Sequence, residues 1–145
     1  MLANQGIKMQ INEVVQKFAE AFSERDANTL LGLFADDPDV TLIGSGIDEV
    51  RVGIKEIASQ FDRDWMQSDG IKSQVKINNV SCAGNVAWTF GETKVQARMH
   101  NETVSYYARF TGVFERRKDK WLIMQWHISL PAYEQEEGES WPEKR

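Results

Sequence analysis

The last apolar segment of the chain, residues 121–131, carries a carboxamide, an imidazole and a hydroxyl at alternate positions. They belong to Gln125, His127 and Ser129. Side chains alternate across a strand, so all three would share one face of a sheet. An imidazole titrates near neutral pH, so His127 is a candidate general acid or base, or a donor to an acidic ligand. The alternative is a structural polar seam in which Ser129 or a backbone carbonyl satisfies His127.

Two charged residues on neighbouring strand-like segments extend this set. Glu92 is the only carboxylate in residues 86–98, and Arg109 lies within the apolar segment 107–114. An inward Glu92 near His127 would supply a general base, and the fork of donors on Arg109 suits a carboxylate ligand. An outward Glu92 would instead form a cross-strand ion pair with Lys94 or Arg109. We favour the outward placement.

Metal, phosphate and disulfide chemistry are not indicated, and we expect no metal and no cofactor. His100 and His127 lack the spacing of a metal-ligand pair, and the Asp-rich turn 36–39 lacks the calcium-loop pattern. The segment 44–46 has two Gly but not the Lys of a phosphate loop. The single Cys82 cannot form an internal disulfide and is expected to be a small buried thiol.

Length and charge narrow the class of protein. A chain of 145 residues fits one domain with one core. The net charge of −5 and a pI near 5.1 argue against a nucleic-acid partner. No apolar run approaches the ~20 residues of a membrane span, and the first residues do not resemble a secretory signal. We therefore expect a soluble, cytoplasmic protein with no membrane partner.

Hydrophobic periodicity predicts an α+β fold, with helices on one face of an antiparallel sheet. The first helix is expected at residues 7–24. A second, short helix is expected just after an N-cap at Asp26, and a third from Ile54 to Gln67. A short strand is expected at 40–43. The four long strands are predicted at 71–82, 86–98, 103–116 and 120–130, joined by the tight turns 83–85, 100–101 and 118–119. The domain would span 1–131, and the acidic residues 132–145 would form a tail pinned by Trp141.

The order of these elements resembles the nuclear transport factor 2-like fold, a cone-shaped bent antiparallel sheet packed on three N-terminal helices. The segments 15–22, 33–40 and 53–57 are similar to the ketosteroid isomerase-like branch. The segment 109–121, with His127-Ile-Ser129 after it, resembles the SnoaL-like branch and the hub domain of calcium/calmodulin-dependent protein kinase. The resemblance implies a homodimer formed through the outer face of the sheet.

The resemblance to ketosteroid isomerases does not extend to their catalytic residues. Those enzymes use an Asp base, with a Tyr and a protonated Asp as donors to the enolate. In this chain the Tyr position falls on Phe18, the base position on Leu42 and the protonated-Asp position near Thr111. The anion pocket of hub domains is also incomplete, because Gly112 follows Thr111 where those domains have Arg.

Three hypotheses remain for the function. The first is a binding protein for an apolar or acidic small molecule. Its pocket, between the helices and the concave face of the sheet, would be lined by Phe18, Phe22, Phe61, Trp65, Trp88, Arg109, Thr111 and His127. The second is an isomerase, dehydratase or cyclase with acid/base roles for His127 and for Glu92 or an Asp of the 36–39 turn. The third is a homo-oligomerisation module. In all three, one continuous apolar face on the last strand, comprising Leu122, Met124, Trp126, Ile128 and Leu130, must be buried.

Overall fold

A computed structural model of the protein describes residues 1–141. Three helices precede the long strands: α1 (Gln5–Glu24), α2 (Ala27–Gly32) and α3 (Ile54–Met66). Helix α1 begins after Asn4, whose side chain accepts a hydrogen bond from the Ile7 N–H at 2.9 Å. The predicted N-cap of α2 is confirmed, because the Asp26 carboxylate accepts from the Thr29 N–H.

Six strands form one curved, unclosed mixed sheet. They are β1 (Thr41–Ile43), β2 (Val50–Val52), β3 (Gly70–Ala83), β4 (Val86–Met99), β5 (Glu102–Arg117) and β6 (Lys120–Ser129), and their order in the sheet is β2-β1-β6-β5-β4-β3. Strands β3 to β6 form the predicted antiparallel meander. The residues of the 100–101 and 118–119 turns all have positive φ, as two-residue hairpin turns require. The α+β, nuclear transport factor 2-like prediction is confirmed.

Strand β1 lies beside the last strand of the chain. It runs parallel to β6, with Leu42 opposite Trp126, and antiparallel to β2 on its other side. Strand β2 was not predicted from the sequence, because three residues are too few for a periodic pattern. Gly53 follows β2 with φ of 89° and turns the chain into α3.

The predicted apolar face of the last strand is wrong in part because β6 contains a bulge. The register with β5 shifts between Val113 and Phe114, which leaves Met124 without a partner in the ladder. Trp121 and Ile123 before the bulge and Trp126 after it are therefore all buried. Leu122 and Met124 do not share their face.

The two faces of the sheet differ in burial. The inner face packs on the helices and carries buried residues that include Thr89, Thr93, Ala108, Phe110 and Trp126. The outer face carries the intervening residues of the same strands, among them Trp88, Phe90, Glu92, Arg109 and His127, and most of these are exposed.

The segment after β6 contacts the sheet through an unexpected residue. Tyr133 donates its hydroxyl to the Tyr107 carbonyl oxygen at 3.2 Å, whereas Trp141 is 84% exposed and does not pin the segment. The last four positions of the predicted tail lie outside the described residues. Cys82 is half-buried rather than buried. Within residues 1–141, no helix combines the length and apolar character needed to cross a bilayer.

Candidate ligand-binding site

A cavity of about 330 Å³ lies between α1, α3 and the inner face of the sheet. Most of its wall is apolar, with aromatic rings from both the helices and the sheet: Phe18, Phe22, Phe61, Phe110 and Trp126. The Trp126 indole stacks between Phe18 and Phe110, with ring centroids 4.7 Å apart on each side. Gly112, opposite Trp126 in the ladder, leaves room for the indole because a Cβ there would come within 3.0 Å of it.

One end of the cavity is polar and is built around Gln60 of α3, which is 3% exposed. Its Oε1 accepts a hydrogen bond from Arg51 Nε at 2.9 Å, so its NH₂ group must point away from Arg51. Nε2 donates to Asp64 Oδ1 at 2.8 Å and to Glu49 Oε1 at 3.3 Å. Arg63 Nη2 contacts the same Glu49 oxygen at 3.1 Å. Glu49 and Asp64 thus bring two carboxylates to the lining of the cavity.

The two carboxylates differ in their surroundings. Glu49 is held by Arg63 and Gln60, and its Oε2 accepts from the Gly46 N–H at 3.0 Å. Asp64 has no basic side chain within ion-pair distance among residues 1–141, and only its Oδ1 accepts a hydrogen bond there. Burial raises the pKa of Asp64 to about 6, against the hydrogen bond from Gln60 that lowers it.

Two buried polar groups at the cavity wall have no hydrogen-bond partner within residues 1–141. They are the hydroxyl of Thr93, a residue that is 5% exposed, and the indole N–H of Trp126, which is 3% exposed. The other buried indole of β6 is satisfied, because Trp121 Nε1 donates to Gln10 Oε1 at 2.8 Å. The Tyr106 hydroxyl adds a polar group to the wall, and burial followed by the nearby Asp64 charge raises its pKa.

A second, shallower groove of about 530 Å³ lies on the outer face of the sheet. Glu92 stands opposite Arg109, and His127 stands opposite Thr111. Arg109 Nη2 lies 3.4 Å from the Leu130 carbonyl oxygen, and the Asn78 amide approaches Glu92 at 3.5 Å. The favoured outward placement of Glu92 agrees with this geometry.

The structure divides the residues that the sequence analysis placed in one pocket. Phe18, Phe22 and Phe61 line the inner cavity. Trp65 is buried behind the wall, where its indole N–H donates to the Phe22 carbonyl oxygen at 3.0 Å. The other residues of the predicted pocket (Trp88, Arg109, Thr111 and His127) lie on the outer face together with Glu92, because each alternates with a buried inner-face residue along its strand.

The polar residues of the inner cavity were missed by the sequence analysis. Gln60 and Asp64 are four residues apart on α3, beside the apolar stripe that contains Ile57 and Phe61. That helical spacing alone places both polar side chains at the buried edge of the helix. No sequence pattern placed Glu49 at the cavity, because it lies in the irregular 44–49 loop. That loop folds back on itself, and the Gly44 N–H donates to the Glu49 carbonyl oxygen.

The Asp-rich 36–39 turn lies away from the inner cavity, which none of its residues lines. Asp37 accepts two hydrogen bonds from Arg117, at 2.8 and 2.6 Å, and these hold the pKa of Asp37 below its usual range. Within residues 1–141, no three His, Cys, Asp or Glu side chains are grouped as metal ligands.

Solved structures with low sequence identity share the fold. A nuclear transport factor 2-like superfamily protein from Salmonella enterica serovar Typhimurium is 20% identical, with TM-score 0.79 over 96% of this chain and 100% of that one. A provisionally assigned dehydratase from Streptomyces avermitilis is 20% identical, with TM-score 0.75 over 86% of this chain and 95% of that one. A provisionally assigned calcium/calmodulin-dependent protein kinase II association domain from Xanthomonas campestris is 23% identical, with TM-score 0.70 over 85% of this chain and 86% of that one.

No curated protein matches the sequence at a significant level. The family model of the SnoaL-like domain matches residues 11–133. The matched segment contains most of α1, the whole six-stranded sheet and every residue that lines the inner cavity. The chain therefore belongs to the SnoaL-like domain family.

Proposed function

We propose that the protein binds a mostly apolar small molecule in the inner cavity. The observation that carries the proposal is a cavity of about 330 Å³ whose wall is mostly apolar and aromatic and whose one end carries the polar groups of Gln60 and Asp64. Ligand sites are typically apolar cavities with a few convergent polar groups.

Binding of a neutral fluorescent probe, N-phenyl-1-naphthylamine, tests this proposal. We expect the wild-type protein to bind the probe with enhanced fluorescence. Ala97→Phe, which adds a ring to the cavity wall, should abolish binding. Gln96→Phe, which adds the same ring at the next residue on the outer face, is the matched control and should bind normally. Equal binding by both variants would refute the inner cavity as the site.

Asp64 favours a second candidate function, proton transfer to or from the bound molecule. Its carboxyl lines the cavity, its Oδ2 accepts no hydrogen bond within residues 1–141, and burial raises its pKa to about 6. A general base works best with a pKa near the operating pH. The fold likeness to the provisionally assigned dehydratase is compatible with such chemistry. Asp64 is better placed for it than Glu92 or His127, which lie in the open outer groove.

Hydrogen–deuterium exchange at the carbon next to the carbonyl of cyclic aryl ketones, followed by NMR in D₂O, tests this candidate. We expect the protein to accelerate exchange, with a rate that rises with pH around 6 as Asp64 loses its proton. Asp64→Asn should abolish the acceleration, and His127→Ala should preserve it. Acceleration that survives in Asp64→Asn and disappears in His127→Ala would assign the chemistry to the outer groove instead.

We also propose a homodimer formed through the outer face of the sheet. Trp88 and Phe90 are 36% and 50% exposed there, next to the oppositely charged pair Glu92 and Arg109. An exposed aromatic patch rimmed by charges is typical of an interface, and a second copy would match it about a two-fold axis. The fold likeness to the provisionally assigned association domain is compatible with assembly.

Light scattering of wild type and Phe90→Glu tests the dimer. We expect a dimer that dissociates in the variant. Met66→Glu, at an 86% exposed position on α3, is the control and should remain dimeric. A monomeric wild type would refute the interface.

A further inference from the structure

The polar end of the inner cavity carries negative charge that is not neutralised. The charged residues that line the cavity within residues 1–141 are Glu49 and Asp64, with no Lys, Arg or His among them. We propose that the cavity selects molecules whose polar end is a protonated amine, with Asp64 as the receptor for that charge, and that it rejects carboxylates. This inference rests on the proposed binding function and names the ligand class for the same cavity.

The nearby guanidinium groups are already engaged. Arg63 contacts Asp48 at 2.7 Å and Glu49 at 3.1 Å, so its single positive charge is shared between two loop carboxylates. Arg51 donates its Nε to Gln60 Oε1. Neither approaches Asp64 within ion-pair distance, so the Asp64 carboxylate has no direct cationic partner within residues 1–141.

The orientation of Gln60 directs Asp64 toward an incoming donor. Arg51 occupies the amide oxygen of Gln60, so the amide NH₂ must donate, and it does so to Asp64 Oδ1 and Glu49 Oε1. The second oxygen, Asp64 Oδ2, accepts no hydrogen bond within residues 1–141. An ammonium group would supply the missing donor and the opposite charge together.

The aromatic wall adds an independent preference for cations. Phe18, Phe22 and Phe61 line the same cavity as Asp64, with neighbouring ring centroids 5.8 to 6.5 Å apart. The faces of aromatic rings carry negative partial charge and attract an ammonium group, more strongly when water is excluded. A carboxylate ligand would be repelled both by these faces and by Asp64.

Proton linkage gives the inference a pH signature. The groups that act on Asp64 from the packed elements are Glu49, Arg51 and Arg63, and its own charge acts on Tyr106. An amine that pairs with Asp64 requires the ionised carboxylate, so its affinity should fall as the pH is lowered through about 6. The affinity of a neutral ligand should not fall in this way.

Competition of three matched compounds against N-phenyl-1-naphthylamine tests the inference: 4-biphenylmethylamine, 4-biphenylmethanol and 4-biphenylcarboxylate. At pH 7.5 we expect the amine to bind at least about tenfold more tightly than the carboxylate, which corresponds to about 1.4 kcal/mol. The alcohol should fall between them. Asp64→Asn should remove the preference, and Asp62→Asn, an exposed carboxylate on the same helix, should keep it.

The outcomes separate the inference from the proposed function. If the probe and the alcohol bind the wild type but the amine has no advantage over the carboxylate, the charge preference is refuted while the cavity remains a binding site. A preference that persists in Asp64→Asn also refutes it. If neither the probe nor any of the three compounds binds a folded wild type, both proposals fail together.

Discussion

Replacement of Asp64 by Asn should make the protein more stable at neutral pH and should change how its stability depends on pH. Burial raises the pKa of Asp64 from 3.8 to about 6 in the folded state. In the unfolded chain the carboxyl ionises near its ordinary value. The folded state therefore binds more protons between these two pH values, so the charged carboxylate lowers the free energy of unfolding progressively as pH rises from about 4 to about 6.

The size of the effect follows from the shift. About two pKa units at about 1.4 kcal/mol each set an upper bound near 3 kcal/mol. Solvent screening of this partly exposed carboxyl reduces the expected value to about 1–2 kcal/mol. Asn at position 64 can still accept the hydrogen bond from Gln60 Nε2 at its own Oδ1, so the substitution removes the charge and keeps that contact.

Urea unfolding followed by Trp fluorescence at several pH values between 4 and 7.5 measures the difference. We expect Asp64→Asn to exceed wild type by about 1–2 kcal/mol at pH 7.5, and the gain should shrink towards pH 4. Asp62→Asn, at an exposed position on the same helix, is the matched control. A difference between Asp64→Asn and wild type that stays constant with pH, or that grows as pH falls, would refute the assignment of a raised pKa to Asp64.

Three further substitutions probe the sheet and its contacts. Thr93→Val should raise the melting temperature of the protein, because it removes a buried hydroxyl without a partner in residues 1–141. Gly91→Ala should destabilise the protein by about 1–3 kcal/mol in urea unfolding, because its Cβ would collide with the Lys76 carbonyl oxygen. Arg117→Ala should weaken the loss of stability on acidification below about pH 4, because Asp37 loses the contact that lowers its pKa.

Each substitution has a matched comparison. Thr89→Val should destabilise the protein, because the Thr89 hydroxyl donates to the Asn79 carbonyl oxygen. Gly32→Ala should be neutral or slightly stabilising, because a Cβ there meets no atom within 4 Å. Arg116→Ala should leave the loss of stability below about pH 4 unchanged. Within residues 1–141 the Arg116 guanidinium lies over the Trp121 ring and forms no ion pair with a carboxylate. If Thr93→Val and Thr89→Val lose stability equally, the Thr93 hydroxyl has a partner after all.

Hydrophobic periodicity was sufficient to predict the helices and the antiparallel meander, because local patterns in the sequence determine both. The stripe of Ile57, Phe61 and Trp65 predicted α3, and the alternation along residues 86–98 predicted β4. The turn residues at 100–101 and 118–119 predicted the hairpins, because both positions in each turn require positive φ.

The candidate site was harder to predict because it depends on which face of each strand meets the helices. Alternation shows that Ala108 and Phe110 lie on one face of β5 and Arg109 on the other. It does not show which of these two faces lines the cavity. The bulge at Met124 then changes the alternation within β6, and nothing in the sequence marks it. Asp64 could have been found from its helical spacing to Gln60, whereas the parallel pairing of β1 with β6 is a contact between distant segments.

That pairing sets the order in which the molecule can assemble. The hairpins of β3 to β6 join neighbours along the chain, whereas β1 gains its parallel partner only when residues 125–127 are present. Contacts between distant segments form slowly, because the chain must close a long loop first. Trp126 also completes the stack between Phe18 and Phe110. A ribosome-bound chain therefore cannot complete this stack, or the cavity that it lines, until β6 has emerged, and a product truncated before residue 126 exposes the aromatic interior to aggregation.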